Sequence, residues 1–374
     1  MKKSDRILEV DVLRGLAVLG MVIWNFRSRS MGNFHVTSTA DYYVNRIVAV
    51  SDLQNTIHLI FAFLFGWGLA QGMSNGAANT RRLASLFLMG MATACLLDRT
   101  DILHFLAILG VVLVVFKDLS NRAVLTLAVV MVAAPVLGDR ILTAVLSPDA
   151  YAGSHLWTSL DPSFIRSASY GEMVVARGRE ALRELYRPKV YIENLDMLVV
   201  FLLGLYARRR LVFGDIPGNL NWIWRTLWIS LALRLLAVGW TSLGGGWSLL
   251  VGEYAKQALA VFYVCLVVVL LRRGTWRRIL RPFADVGRLA LSAYLLQAFI
   301  GPTLFFGYGF GLYDKLGMAG GEVLAVATCA AIMTFSTWWL TRFELGPAEW
   351  AWRVVTYWRV QPLRRPAGVA SGSP

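Results

Sequence analysis

Lys256-Gln257-Ala258-Leu259-Ala260-Val261-Phe262-Tyr263-Val264-Cys265-Leu266-Val267-Val268-Val269-Leu270-Leu271, followed at once by Arg272 and Arg273, decides how the rest of the chain is read. From Ala258 to Leu271 no residue carries a charge or an amide. An apolar run that length, closed by a cationic cluster, reads as a helix crossing a bilayer and stopping at its surface. A bilayer core needs roughly 20 mostly apolar helical residues. Working outward, about ten segments meet the pattern: near Val10–Phe26, Asn55–Met73, Leu83–Leu97, Ile102–Phe116, Ala123–Leu146, Leu195–Ala207, Trp222–Trp240, Lys256–Leu271, Arg288–Gly307 and Gly321–Phe343. The third, fourth and sixth are short, and burial in the bundle or snorkelling side chains can complete them.

Composition agrees. The 374 residues are 57% hydrophobic and 16% charged, with a mean hydropathy of +0.55. Soluble domains carry about 25% charged residues. The expected fold is an all-α, polytopic transmembrane bundle of about ten helices, one domain over residues 1–365, with a disordered Gly/Ser/Ala-rich tail over 366–374. Met1-Lys2-Lys3 leads into charged residues and no small-residue cleavage site ends the first apolar run, so no cleaved leader is expected.

The net charge of +14 is distributed as a membrane protein distributes it. Lys2, Lys3 and Arg6 precede the first segment, Arg81-Arg82, Lys117, Arg122, Arg208–Arg210 and Arg272–Arg281 fill every second connection, and Arg353, Arg359, Arg364 and Arg365 follow the last. The positive-inside rule makes that side cytoplasmic, with both termini on it, and the expected location is an inner membrane. A nucleic-acid partner is not expected from such a pattern. The long Ser147–Val190 connection breaks the rule, with six Lys/Arg against five Asp/Glu over its length. Its Glu172–Tyr186 part is amphipathic, as an interfacial helix or a solvated one would be.

Charged groups within apolar segments are costly and point to function. Asp11 and Arg14, then Asp285 and Arg288, sit three apart and can pair on one helix face. Arg234 lies mid-segment and needs an acid, a polar cavity or an anionic ligand. Three of the four histidines, His35, His58 and His104, fall towards the outer half, together with Asp98, Asp101, Glu193, Asp196 and Glu253. Imidazoles among carboxylates suit general acid–base chemistry near neutral pH. Cys95, Cys265 and Cys329 lie in apolar segments and read as packed thiols, and no zinc spacing, phosphate loop or nucleophile elbow is present, so no metal is expected. Gly66 and Gly68, inside a helix, read as close helix packing.

Several stretches resemble a known family. Asp11-Val12-Leu13-Arg14-Gly15-Leu16-Ala17, Gly20-Met21-Val22-Ile23-Trp24-Asn25, Phe61-Ala62-Phe63-Leu64-Phe65-Gly66-Trp67-Gly68, Asp101-Ile102-Leu103-His104, Gly287 through Gln297 and Gly346 through Arg353 are similar, in order, to the YeiB-like bacterial membrane proteins. A C-terminal signature over about 195–365 goes with that resemblance. The chain departs from the usual pattern at Thr93, Ser292 and Ala293, where His, Thr and Asn are common.

The resemblance implies a superfamily that includes heparan-alpha-glucosaminide N-acetyltransferase. Its members pass an acyl group from cytosolic acyl-CoA to an acceptor on the far side. It implies acyl-CoA, acetyl-CoA above all, as co-substrate and a hydroxyl or amine of a small molecule or glycan as acceptor. It also implies His35 as general base and Asn25 as the group that positions the carbonyl or the imidazole. Arg14 and Arg234 would then meet CoA phosphates or an anionic acceptor, and His58, His104 and Asp101 would line the acceptor side. A small-molecule exporter is the alternative reading, and a homodimer, common among membrane enzymes, fits either.

Overall fold

The computed structural model describes residues 6–30, 39, 42, 53–71, 76–98, 101–145, 161–244 and 247–364. Among them the chain is helical, apart from an isolated bridge between Phe343 and Arg364. In chain order the helices are α1 (Leu8–Ser30), α2 (Leu53–Ala70), α3 (Gly76–Leu96), α4 (Leu103–Val115), α5 (Asn121–Met131), α6 (Ala134–Val145), α7 (Pro162–Ser167), α8 (Tyr170–Leu185), α9 (Pro188–Glu193) and α10 (Leu195–Arg209). They continue as α11 (Ile216–Ser242), α12 (Ser248–Leu270), α13 (Gly274–Arg288), α14 (Ala290–Phe305), α15 (Gly317–Arg342) and α16 (Pro347–Tyr357).

Each of the ten apolar segments is helical, with the fifth split into α5 and α6. By length and composition alone, four described stretches can cross a membrane: 190–209, 216–242, 248–270 and 317–342. A fifth is added if α13 and α14, bent by 81° about Leu289, form one broken span. The first four expected segments are too short or too charged to pass as isolated spans. Many of their apolar residues join the inner core, among them Leu13, Leu64, Leu86 and Leu106, whereas Leu88, Leu96, Val111 and Val115 face outward.

The helix at the centre is α1. It packs on α2, α13, α14 and α15, and most of its residues are buried. Val10, Val12, Leu13, Ala17 and Met21 enter one core cluster with α2, α4, α10 and α12. Val18, Leu19, Val22 and Phe26 enter a second, with Phe305, Ala325 and Ile332 from α14 and α15. The helix is thus a wall shared by two cores.

Glycines set how closely its partners approach. A Cβ at Gly15 would lie 1.9 Å from Phe283 O, and one at Gly287 would lie 1.7 Å from Asp11 O, so α1 and α13 cross backbone to backbone. The same holds where α2 meets α10: a Cβ at Gly66 would be 2.6 Å from Phe201 O, and one at Gly204 would be 2.3 Å from Phe63 O. Small-residue contact is how helices associate where hydrophobic burial supplies little.

The pair α11 and α12 flanks this centre. Trp228, Ile229, Leu233, Leu235 and Leu236 of α11 are exposed. A broad apolar outer face of that kind belongs in lipid. The amphipathic segment after the long connection is α8, entered through a reciprocal Ser169–Glu172 capping box. It packs against α3 and buries Met173, Arg177, Ala181 and Glu184, so its inner face is a protein contact.

A buried polar network and an arginine cluster at opposite ends of one helix

The last turns of α1 carry Asn25 and Arg29, both buried. Asn25 Nδ2 donates to Gln297 Oε1 of α14 at 3.1 Å. Arg29 pairs with Asp98, just past the end of α3, and both side chains are at most 7% exposed. A buried pair is costly to form, and removing one partner costs about 3–5 kcal/mol, because the survivor is left charged and dry.

Three residues on, Asp101 begins the turn into α4, with its N–H donating to Asp98 O at 3.2 Å. Its carboxylate gathers three donors. Leu103 N–H reaches Oδ2 at 3.0 Å, Tyr294 O–H reaches Oδ1 at 2.9 Å, and His104 Nδ1 lies 3.3 Å from Oδ2. Tyr294 accepts in turn from Ile102 N–H at 3.2 Å. Phe61 of α2 stacks on the Tyr294 ring, centroids 6.3 Å apart. Burial pushes the Asp101 carboxyl above its ordinary value, and the hydrogen bond from His104 pulls it back.

His104 is fully buried, and among the described residues its Nε2 has no hydrogen-bond partner. An anionic acceptor at Nδ1 holds the proton on that nitrogen and leaves a lone pair on Nε2. Gly90 of α3 packs against the start of α4: a Cβ there would lie 2.3 Å from the His104 backbone N and 2.9 Å from Asp101 Oδ2. Tyr294 and Gln297 sit one turn apart on α14, so the two halves of the network are joined through that helix.

The other end of α1 is cationic. Arg14 pairs with Asp11 at 3.6 Å. A Cβ at Gly68 would lie 3.4 Å from Arg14 Nη2 and 3.8 Å from Arg82 Nη2, so both guanidinium groups converge on that glycine. Arg82 Nη1 donates to Gly68 O at 3.2 Å, and its guanidinium lies 5.1 Å over the Trp352 ring. Arg353 and Arg14 both act on Arg82, and Arg6 acts on Arg14 and Arg353. Burial pulls the Arg353 guanidinium below its ordinary value, Arg6 beside it does the same, and Tyr357 and Glu349 oppose them.

Glu349 is occupied elsewhere. It accepts from Leu291 N–H at 2.7 Å, Ser292 N–H at 3.2 Å and the Ser292 hydroxyl, capping the start of α14. Among the described residues Arg6, Arg14, Arg82 and Arg353 therefore share this end with Asp11, with the Arg288–Asp285 pair that acts on it, and with an already engaged Glu349. Guanidinium groups in such a set can fork onto phosphate oxygens.

Arg14 and Arg29 are fifteen positions apart on α1, about 22 Å at 1.5 Å per residue. The residues expected from sequence divide accordingly. Asn25, Asp101 and His104 fall in one network, and Arg14 in the cation cluster. His58 lies half-buried on α2, one turn before Phe61. Arg234 sits on α11, which packs along α12, and is not among the charges that act on Arg14. His35, Lys2 and Lys3, and the 366–374 tail lie outside the described residues.

Sequence reading missed Arg29, Tyr294, Gln297, Arg82 and Arg353 as site residues. Arg29 had a signal, being a charge at a mostly apolar helix's end. Tyr294 and Gln297 lay in the Gly287–Gln297 stretch that resembles the family, but a Tyr and a Gln in an apolar helix reveal no role until a partner is seen.

Comparison with known proteins divides the chain in two. Residues 6–171 match the family described as "Heparan-alpha-glucosaminide N-acetyltransferase, catalytic". Residues 207–359 match "Protein of unknown function (DUF418)". Full-length relatives include the uncharacterized protein YxaH of Bacillus subtilis (strain 168), 28% identical over 394 positions that cover 97% of each chain. The uncharacterized protein YeiB of Escherichia coli (strain K12) is 26% identical over 384 positions, covering 94% of this chain and 96% of that one. An uncharacterized 39.9 kDa protein of Bacillus acidopullulyticus is 23% identical over 96% of each.

Proposed function

The chain belongs to the YeiB-like family, related to heparan-alpha-glucosaminide N-acetyltransferase, and on that premise we propose that it moves a short acyl group from acyl-CoA to a hydroxyl or amine acceptor across the bacterial inner membrane. The family is of membrane acyltransferase type. The donor, the acceptor and the direction are our reading.

One observation carries it. A single helix bears an arginine cluster at one end and a buried imidazole–carboxylate network at the other, about 22 Å apart along its axis. An acyl transfer across a membrane needs that separation. The thioester arrives on a molecule with several phosphates, and the acceptor loses a proton at the far side. In this reading the chain crosses the membrane about ten times, both termini are cytoplasmic, residues 1–365 act as one domain, and Arg6, Arg14, Arg82 and Arg353 meet CoA phosphates. Arg234 on α11 would bind a more distant part of the donor or the acceptor, and His58 would line the acceptor's route.

Asn25 would orient the acyl carbonyl or stabilise its oxyanion. Among the described residues its amide gives one hydrogen, to Gln297, and has a second to offer. The base is an imidazole at this end of α1, and the family resemblance offers His35 for it.

The test uses the purified full-length chain in nanodiscs. Acetyl-CoA should raise the melting temperature, CoA should do so nearly as well, and pantetheine without phosphates should not. A ligand at a hundred times its Kd adds about 2.7 kcal/mol of stability. With an acceptor panel of amino sugars and glycans, free thiol should appear at a rate set by protein concentration. No stabilisation by millimolar acetyl-CoA, together with no thiol release, would overturn the enzyme reading in favour of an exporter.

A further inference from the structure

The proton-handling group at the acceptor end is open to a sharper assignment. The catalytic reading of this family's first segment directs attention to the residues after α1. The described structure contains a different imidazole, already arranged as bases are arranged.

Three facts define it. His104 is fully buried, yet Nε2 meets no partner among the described residues. Nδ1 faces a carboxylate, Asp101 Oδ2, at 3.3 Å. That carboxylate is itself fixed by Tyr294 O–H on Oδ1 and Leu103 N–H on Oδ2, and cannot turn away. An unmet buried nitrogen is costly, and a purely structural histidine would avoid that cost by turning Nε2 to a carbonyl or hydroxyl. The carboxylate–imidazole order, with the second nitrogen bare, is the arrangement that makes a neutral base.

We propose that His104 is the general base of the reaction, with Asp101 and Tyr294 as the groups that hold its ring. The proposal rests on the acyl-transfer reading. As the acceptor oxygen or nitrogen bonds to the thioester carbonyl carbon, its proton passes to Nε2, directly or through one water. The C–S bond then breaks, and the departing CoA sulfur takes the proton back from Nε2. The ring ends neutral, and no oxidant or reductant is needed. Asp101 stabilises the imidazolium between those steps without taking its proton.

The position of the dyad supports this assignment. Asp101 lies three residues after Asp98, which holds Arg29 at the end of α1, and Tyr294 lies one turn from Gln297, which holds Asn25. The base is therefore tied to the same helix end as the proposed oxyanion donor.

The experiment replaces His104 by Gln, whose amide can still donate to Asp101 but has no basic nitrogen. A structural histidine would be largely replaced by it, whereas a base would not. The expected result is a fall in kcat of at least about 100-fold, with the KM for acetyl-CoA within twofold and the melting temperature within a few degrees of wild type. A His104→Gln protein with kcat within threefold of wild type overturns the assignment. Inactivity of the wild-type protein with every acceptor would instead count against the acyl-transfer reading.

A second measurement needs no activity and no substitution at His104. With His35, His58 and His155 replaced by Gln, histidine-labelled protein carries a single imidazole, and its 15N spectrum reports the tautomer. A proton on Nδ1 and a bare Nε2 at pH 7 are expected. A proton on Nε2 at that pH, whether as the other tautomer or as the doubly protonated ring, overturns the assignment.

Discussion

Arg177 Nη2 donates to the Tyr308 hydroxyl at 3.1 Å, in a site where the arginine is only 1% exposed. The same guanidinium donates to Leu96 O at 3.3 Å and lies 5.1 Å over the Phe306 ring. One side chain of α8 thus ties the end of α3 to the turn after α14. Arg177→Ala should destabilise the fold by about 2–3 kcal/mol, since it strands buried acceptors and empties a large site. Arg177→Lys should recover only part of this, because an ammonium lacks the planar fork. Thermal unfolding in detergent, followed through tryptophan fluorescence, measures both.

Two glycines two residues apart should behave in opposite ways. A Cβ at Gly66 would press to 2.6 Å from the Phe201 backbone, whereas one at Gly68 meets only arginine ends at 3.4 and 3.8 Å. Gly66→Ala should cost about 1–3 kcal/mol through forced separation of α2 and α10. Gly68→Ala should fold normally and weaken acetyl-CoA binding by crowding Arg14 and Arg82. Size-exclusion profiles and nucleotide titration separate the two effects.

The arginine cluster predicts an affinity change without a rate change. Arg14→Gln or Arg353→Gln should weaken acetyl-CoA binding about tenfold, or 1.4 kcal/mol, and leave kcat near wild type. The loss should shrink at high ionic strength, as charge attraction between partly exposed groups does. Titrations at low and high salt provide the check.

Asp101 predicts a pH dependence with a definite sign. Burial raises its folded-state pKa, so its contribution to stability is fully present below the ordinary aspartate value and is lost as pH rises through the raised one. Asp101→Asn has no such loss. The variant loses hydrogen bonds at every pH, but its deficit relative to wild type should narrow as pH rises from 4 to 8. Melting temperatures of the two proteins across that range test it, and a deficit that widens would contradict the burial argument.

Fold class was readable from local sequence because apolar runs and arginine clusters are local properties. The Lys256–Leu271 run is helical as expected, within α12. Of the two glycines read as close helix packing, Gly66 sits in a helix crossing, whereas Gly68 meets only the ends of Arg14 and Arg82. What local sequence lacks is the path between distant segments. Arg82 looked like one of many cations marking a connection, and its stacking on Trp352 spans 270 positions. Asp101 and His104 were legible as a candidate pair from their spacing. The third member, Tyr294, comes from 193 positions away, and the family-like stretch that contains it does not say which residue it meets. Ala123–Leu146 read as one continuous helix, but a turn at Val132 and Ala133 separates α5 from α6.

The bond between Asn25 and Gln297 spans 272 residues, and this bears on how the protein is made. Its first helix leaves the ribosome early, carrying Asn25 and Arg29 towards an environment that cannot yet satisfy Asn25. The partners that complete the network, Tyr294 and Gln297, are synthesised only after three-quarters of the chain. The segment that matches the acetyltransferase catalytic family, residues 6–171, therefore holds most of the chemistry but neither of these closing groups. Expressed by itself it would have unmet polar groups at the end of α1. Co-expressed with the remainder as a split protein, it has the means to reassemble, since α14 supplies both missing side chains on one helix face.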